Sequence, residues 1–548
     1  MTNPVQILGA DGKPAVMPQS KASMLASGSR TPYDAADNYG DHLGDWQPYL
    51  WSPDGELNVY RDRIVSRVRD LVRNDGWASA VVTRTLDNAI GADFRPISEP
   101  DYQALRAATG IKAFDHVWAD EFGEAVEAHY RLWANDIGKW CDTSRNMTLP
   151  EMFWVAFRHK LIDGDALGML NWRPDRVAVG RARYSTSLQL IDPDRLSNPQ
   201  LRFDSHTMRG GVQVDEDGAA VKYWIRRAHQ GDWFSAGQSV HWDSIDRETD
   251  WGRPIIVHDY DSERAGQHRG GAGILTSVVQ RLKMLIKYDS TELDAAIINA
   301  IFAAYIESPF DHEFVEQALD GGSGELNAYQ QQRGEFHREK KISLGGARMP
   351  ILFPGEKINA VSATRPAGNF DGFQNAMLRN VAAGSGLATQ QVSQNWSDVN
   401  YSSYRAAMLE AWKTLGRRRT RFGIGFGTPI FSAFLEESME VDNLPLPRGA
   451  PPFIEMRNAY AKARWMGPGR GSVDIVKERQ GAIMGVASGL TTLKQESADI
   501  EGTDWRDTLN QRSIEVARAR RMGVELNTTI QPPESDRGPA DPEQEGIR

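Results

Sequence analysis

The side chains best suited to metal or acid–base chemistry are two short clusters, His241-Trp242-Asp243 and His258-Asp259-Tyr260-Asp261. Imidazole nitrogens and carboxylate oxygens hold a divalent ion when three or four of them converge. A metal-dependent DNA-processing enzyme using His241, Asp243, His258 and Asp259 is therefore one reading. Both clusters fall at or beside strand ends, however, where polar side chains ordinarily meet water. Three glycine-rich pieces, "GGAG" (270–273), "GIGFG" (423–427) and "GPGRG" (467–471), lack the Lys-Ser/Thr of a phosphate loop and the spacing of a dinucleotide site. They read as turns. No Gly-x-Ser-x-Gly elbow or His-Glu-x-x-His pair is present. Cys141 has no histidine nearby in sequence and reads as a small buried residue. Nothing here argues for an enzyme or for a cofactor.

A second feature could bind rather than react. Between Arg405 and Arg421 stand six basic residues against one glutamate, in a chain whose net charge is −10. At about 100° per residue, Met408, Ala411, Trp412, Leu415 and Phe422 line one side of a helix. Lys413, Arg417 and Arg421 lie nearly opposite, and Arg418 sits on a flank. Arg419 falls within the apolar stripe, so it needs a carboxylate partner or a subunit boundary. The run is either a solvated basic face or a nucleic-acid contact. Overall acidity argues against tight, indiscriminate DNA binding, because neutralising phosphates dominates such affinity. A loose contact stays open.

The elements that must position these residues can be read coarsely. With 548 residues, 40% of them hydrophobic, and 16 tryptophans, the chain has material for two or three domains or one large composite subunit. A single cysteine excludes internal disulfides and fits a reducing compartment. The N-terminal residues lack the pattern of a secretory signal. The longest nearly apolar run, Ala295 to Ile306, is too short to span a bilayer, so a soluble protein is expected. Helical spacing predicts helices over 56–90, 113–140 and 149–162, the last opening on Pro150. Short alternating segments at 187–192, 211–215, 220–228 and 254–260 predict mostly antiparallel strands, hence an α+β fold. A helix is expected from Ile274 to Ile306, amphipathic at first and then apolar nearly all round, so it must lie against other helices or other subunits. Strands are expected near "KISL" and "PILF", then a helix from Phe370 to Ala383, a Gly/Ser/Gln loop and the basic helix. Proline-rich 444–452 marks a boundary before a helical C-terminal section and an acidic tail.

Four separated segments together resemble the lambda-type portal proteins of tailed bacteriophages. They are "LQLIDPDRLSNP" (188–199), "VHDYDSERAGQHRGGAGILTSVVQRLKMLIKYDSTELDAA" (257–296), "PGEKI" (354–358) with "DVNYSSYRAAMLEAW" (398–412), and "ARWMGPGRGSVDIVKE" (463–478). In the last, Asp474-Ile475 stands where the family usually has Asp-Pro, a departure expected to loosen a local turn. The resemblance implies a ring of twelve subunits at one capsid vertex of the virion, assembled in the host cytoplasm, with a channel for double-stranded DNA held non-specifically. It implies as partners the terminase large subunit, then a head–tail adaptor, with the major capsid and scaffolding proteins around the ring, and no membrane.

Mapped by order along the chain, the family architecture gives a flexible arm (1–30), an α+β wing (31–273), a stem helix (274–306), a clip (307–365), a second stem helix (366–383), a channel loop (384–400), a long wing helix (401–443), a helical crown (444–526) and a disordered tail (527–548). On that map Leu282, Leu285, Ile286, Ile297, Ile298, Ile301 and Phe302 are stem-packing candidates. Gln390, Gln391, Gln394, Asn395 and Trp396 are channel-loop candidates. Lys413, Arg417, Arg418, Arg419 and Arg421 are candidates for the DNA channel or a subunit interface. An absent phosphate loop agrees with this, because ATP hydrolysis in such systems belongs to terminase. The other readings are the metal-dependent enzyme above and another virion component, an adaptor or capsid subunit.

Overall fold

The computed structural model describes residues 33–36, 42–303, 370–396 and 401–524, except 272 and 473, together with 335, 342–344 and 347–349. Segment 354–358, the N-terminal arm, the acidic tail and almost all of the expected clip lie outside the described residues. Of the 307–365 stretch, only a two-stranded antiparallel pair, β9 (Ile342–Leu344) with β10 (Ala347–Met349), is described beyond Glu335.

The first helical region is two helices rather than one. Helix α1 (Arg61–Asn74) ends at Asp75, whose backbone is extended, and α2 (Gly76–Ala89) begins there. The Asp75 carboxylate accepts the Ala78 N–H at 2.7 Å. An N-cap aspartate satisfies one of the orphan donors of a new helix, and this outweighs the continuous apolar spacing across the join. Helix α3 (His116–Ala134) is shorter than expected. The following residues instead wrap around buried Asp142, whose carboxylate accepts the N–H groups of Ser144, Asn146 and Met147. Helix α4 (Leu149–Asp163) opens on Pro150 as expected, with a Thr148/Glu151 capping box, and stops at Gly164 with φ 89°.

Among the described residues all laddered strands are antiparallel. Strand β1 (Arg95–Ser98) pairs with β11 (Ala463–Met466). Strand β2 (Asp165–Trp172) is central between β3 (Thr186–Ile191) and β8 (Ile256–Tyr260). Strands β4 (Met208–Arg209), β5 (Val212–Val214), β6 (Ala220–Arg226) and β7 (Trp242–Asp246) form a second sheet in sequence order. Helix α5 (Val279–Ala303) follows, then α6 (Phe370–Ser385) and α7 (Tyr401–Phe422). The core is strongly aromatic. Phe94 stacks on Trp465 at 5.0 Å, Phe422 on Phe426 at 5.3 Å, and Phe153 meets all four of these rings edge-on.

At the start of β2 lies a buried polar knot. The Asp165 carboxylate accepts from Arg61 Nη2 at 2.9 Å, Arg269 Nε at 2.9 Å and the Gly270 N–H at 2.6 Å, and His258 Nε2 lies 3.1 Å away. Arg269 spends its other donors on the carbonyls of Leu196, Gly210 and Pro193. Burial alone would raise the Asp165 pKa, but Arg269, Arg61 and His258 hold it well below the usual carboxylate range. Two guanidiniums against one carboxylate leave the knot positive, so a charged imidazole would be repelled. Burial accordingly pushes the His258 pKa down despite its contact with Asp165. The backbone closes tightly around this knot: a Cβ on Gly164 would stand 1.8 Å from the Gly271 carbonyl oxygen. A second knot is fixed by Arg69, which bridges Asp163, Asp192 and Asp194 at 2.6–2.9 Å.

Two outcomes are expected. Asp165→Asn leaves two buried guanidiniums without a counter-charge and costs about 3–5 kcal/mol, measured by chemical denaturation; a loss under about 1 kcal/mol would contradict the knot. Unfolded chains protonate histidine near pH 6.5, whereas folded His258 resists the proton, so its contribution to stability falls as pH drops below that value. The His258→Gln variant should lose less stability than the parent between about pH 7 and 5; identical pH slopes would show that His258 titrates alike folded and unfolded.

Candidate functional site

The basic helix is built as two unlike halves, and the division follows what each cation touches. Ala411, Leu415 and Phe422 are buried and Trp412 partly so, as the apolar stripe required. Lys413, Arg417 and Arg421 are exposed. Lys413 pairs with Glu410 at 3.0 Å, and Arg421 lies 3.5 Å from Asp261. Arg417 has no ion pair among the described residues. A pair so exposed contributes little to stability, so the cations on this face are held loosely.

Arg418 and Arg419 serve the interior. Arg418 Nη2 donates to the Ser385 carbonyl at 2.8 Å, tying α7 to the end of α6. Of the two partners expected for Arg419, a carboxylate or a subunit boundary, no carboxylate pairs with it among the described residues. Its Nε donates to Ala89 O at 2.6 Å, and Nη2 donates to Pro468 O at 2.7 Å and Asn88 O at 3.1 Å. Asn88 and Ala89 are the last residues of α2. Open carbonyls there carry the negative end of the helix dipole, which a guanidinium complements. The ring of Trp412 lies 5.1 Å from this guanidinium. Burial lowers the Arg419 pKa to about 10, so it stays charged at neutral pH.

The helix does not stop at "GIGFG". The three glycines continue it through one π-helical turn, Gly423–Gly427, into α8 (Thr428–Val441). This corrects the turn expected there. A Cβ on Gly423 or Gly427 would fall 2.4–2.5 Å from the Trp465 indole, and one on Gly425 would fall 2.1 Å from Asp259 Oδ1. These glycines therefore permit close packing of a continuous helix. Of the other two glycine-rich pieces, 467–471 and the described residues of 270–273 lie outside helices and strands. Asp474 caps helix α9 (Ile475–Ala487) by accepting the Lys477 N–H, so the departure from Asp-Pro leaves this helix start capped.

Four residues considered as metal ligands are committed elsewhere. His241 Nδ1 lies 2.8 Å from Gly237 O, and Asp243 pairs with Arg227. His258 and Asp259 point to opposite faces of β8, toward Asp165 and Lys160 respectively. Burial raises the Asp259 pKa to about 6, with Lys160 opposing. Among the described residues, His159, Asp163 and Asp192 do approach one another. The Arg69 guanidinium already occupies the space between both carboxylates. Cys141 is buried, and burial pushes its thiol pKa up to about 12.

In the expected channel loop, Thr389–Ser393 is a short helix packed on α2. Gln391 is buried and accepts the Ala388 N–H, while Gln390 is partly buried. Gln394 (φ 54°), Asn395 and Trp396 are exposed, and Trp396 meets Tyr404 edge-on. On α5, Leu282 and Leu285 are buried and Ile286 partly so. Further along, Ile297 is exposed beside Leu293, at 63% exposure, with Met284 exposed on another side. The side chains of Ile298, Ile301 and Phe302 lie outside the described residues. Sequence reasoning missed Lys160 and the Asp165 knot. Only the His258–Asp261 cluster and the quoted segment 257–296 pointed toward them.

The two halves of the basic run are separable by substitution. Arg419→Ala should cost about 2–4 kcal/mol by stranding buried carbonyls, whereas Arg417→Ala should change stability by less than about 0.5 kcal/mol. Equal losses in denaturation experiments would contradict this division.

Comparison with known proteins points to the same family. Residues 39–419 match the family described as phage portal protein, lambda family. The portal protein of Escherichia phage N15 is 32% identical over 495 residues, covering 89% of this chain and 90% of that protein. Portal protein B of Escherichia phage lambda is 30% identical over 501 residues, covering 90% of each. Among solved structures, a chain from the neck of an empty gene transfer agent (GTA) particle aligns with a TM-score of 0.39 at 12% identity, covering 78% of this chain and 92% of that one. With the family matched over most of its length, this chain belongs to the lambda family of phage portal proteins.

Proposed function

We propose that this chain assembles into a closed ring of twelve at one capsid vertex, the conduit for double-stranded DNA in packaging and ejection. In this reading terminase docks on the ring first and a head–tail adaptor later. Capsid and scaffolding proteins surround it, and the ring forms in the host cytoplasm before becoming part of the virion. Helices α5 and α6 are the stem, residues 307–365 the clip, 384–400 the channel loop and the C-terminal helices the crown.

The observation that carries the ring is the far part of α5. Leu293 and Ile297 form an apolar stretch that a single chain leaves in water. Burying such side chains is worth about 1.5–3 kcal/mol each, and a head-to-tail contact that closes on itself offers every copy the same cover. The DNA role rests on the exposed half of α7. Few cations, two of them shared with Glu410 and Asp261, give a passing phosphate weak attraction and no deep well. A conduit needs this, since each firm phosphate contact would hold the DNA in place. The four would-be metal ligands, each engaged with a different partner, favour this reading over a DNA-processing enzyme.

Reversing the charge of both Arg417 and Arg421 to Glu should leave ring assembly intact and reduce DNA packaging about tenfold or more, since the channel then repels phosphate. Packaging at the parental level would contradict a DNA role for this face. Rings that fail to form would assign it to the subunit interface instead.

A further inference from the structure

The segment Trp46-Gln47-Pro48-Tyr49-Leu50-Trp51 has no explanation in the fold of one chain. Trp46 is 70% exposed, Tyr49 85%, Leu50 99% and Trp51 49%. Its root is firm. The Trp51 carbonyl accepts from Arg264 Nη2 at 2.9 Å, and Ser52 caps the short helix Pro53–Leu57 by accepting the Gly55 N–H. Beyond that root, Pro48, Tyr49 and Leu50 make no backbone hydrogen bond to any described residue. Two prolines, Pro48 and Pro53, push the residues before them to extended backbone, and Ser52 is extended at φ −66°, ψ 151°. Six residues reach at most about 20 Å when extended. The segment holds four large apolar side chains that its own chain leaves in water.

We propose that this arm lies on the adjacent copy of the chain, so that each subunit of the ring is strapped to its neighbour. The inference rests on the ring-forming reading above and gives that ring a second contact, separate from the stem. Three facts select a second copy as the occupant. Aromatic side chains bury about 150–250 Å² each, so the three here supply much of the roughly 800 Å² per partner of a standard interface. The backbone of Tyr49 and Leu50 is also free to pair among the described residues, so one chain can add to the surface of another. The arm is also an integral part of every subunit, rooted next to the Asp165 knot through Arg264 and the His268–Asp54 contact at 2.7 Å. In a head-to-tail ring one arm therefore meets one receptor at every interface.

The test uses the full chain with Tyr49 replaced by photoreactive benzoylphenylalanine. Equal amounts of ¹⁴N- and ¹⁵N-labelled subunits are mixed before assembly, then irradiated and digested. Cross-linked peptide pairs of mixed isotope content are expected, joining the arm of one copy to another. Pairs of a single isotope only would place the arm on its own chain and overturn the inference. Cross-linking only to a different virion protein added to the ring would overturn it too. A parent chain that stays monomeric contradicts the ring reading itself, a failure visible before any irradiation. In parallel, the triple variant Trp46→Ala, Tyr49→Ala, Leu50→Ala should raise the concentration for half-assembly about tenfold or more with the monomer's denaturation midpoint unchanged. An unaltered assembly curve would overturn the strap.

Discussion

One buried carboxylate organises this subunit. Asp165 sits at the start of β2 and gathers Arg61 from α1, His258 from β8, and Arg269 with Gly270 from the loop leading to α5. Arg269 extends the same junction to the carbonyls of Pro193, Leu196 and Gly210. Segments separated by up to about two hundred residues thus share one set of charge-assisted hydrogen bonds, which are stronger and more directional than apolar contact. An apolar core of similar volume can hold as firmly, but it lacks the directional bonds that fix the relative register of these segments. Removing Asp165 would leave two buried guanidiniums uncompensated, so both arginines depend on this one carboxylate.

That rigidity matters because the functional surfaces lie on elements that the knots hold at their roots. Helix α5 leaves the loop of Arg269, and its early turns pack through Leu282 and Leu285 while its later turns present Leu293 and Ile297 to water. Helix α7 is held from below by Arg419 on the end of α2 and by Arg418 on the end of α6. It then runs through the glycine-lined π turn without a break. A continuous, internally anchored helix can offer Lys413, Arg417 and Arg421 outward at fixed spacing. Four arginines in one short run therefore divide by neighbour: two cap backbone carbonyls inside, and two meet solvent.

Much of this was legible in the sequence, and the exceptions have physical causes. Apolar spacing located the buried side of α7, and the order of four motifs led to the portal family. The α+β class followed from short alternating strands. The break at Asp75 was missed because apolar spacing runs straight across it, while the cap is a single side chain. "GIGFG" was misread because glycine's freedom and glycine's smallness look alike in a sequence; only the indole of Trp465, some forty residues away, shows that smallness was needed. For Arg419 the sequence suggested a carboxylate or a subunit boundary, because side-chain patterns reveal charges but not the open carbonyls at a helix end. The Asp165 knot joins residues from four distant segments, and no spacing rule could assemble it.

The central claim is that the faces a single chain leaves uncovered are covered by copies of itself in a closed ring. A cryo-EM reconstruction of the purified, assembled protein tests this most directly. The account predicts a cyclic ring in which Leu293 and Ile297 are buried against an adjacent copy and Arg417 borders the central opening. A particle in which those apolar side chains remain in solvent, or a protein that stays monomeric at assembly concentrations, would contradict it.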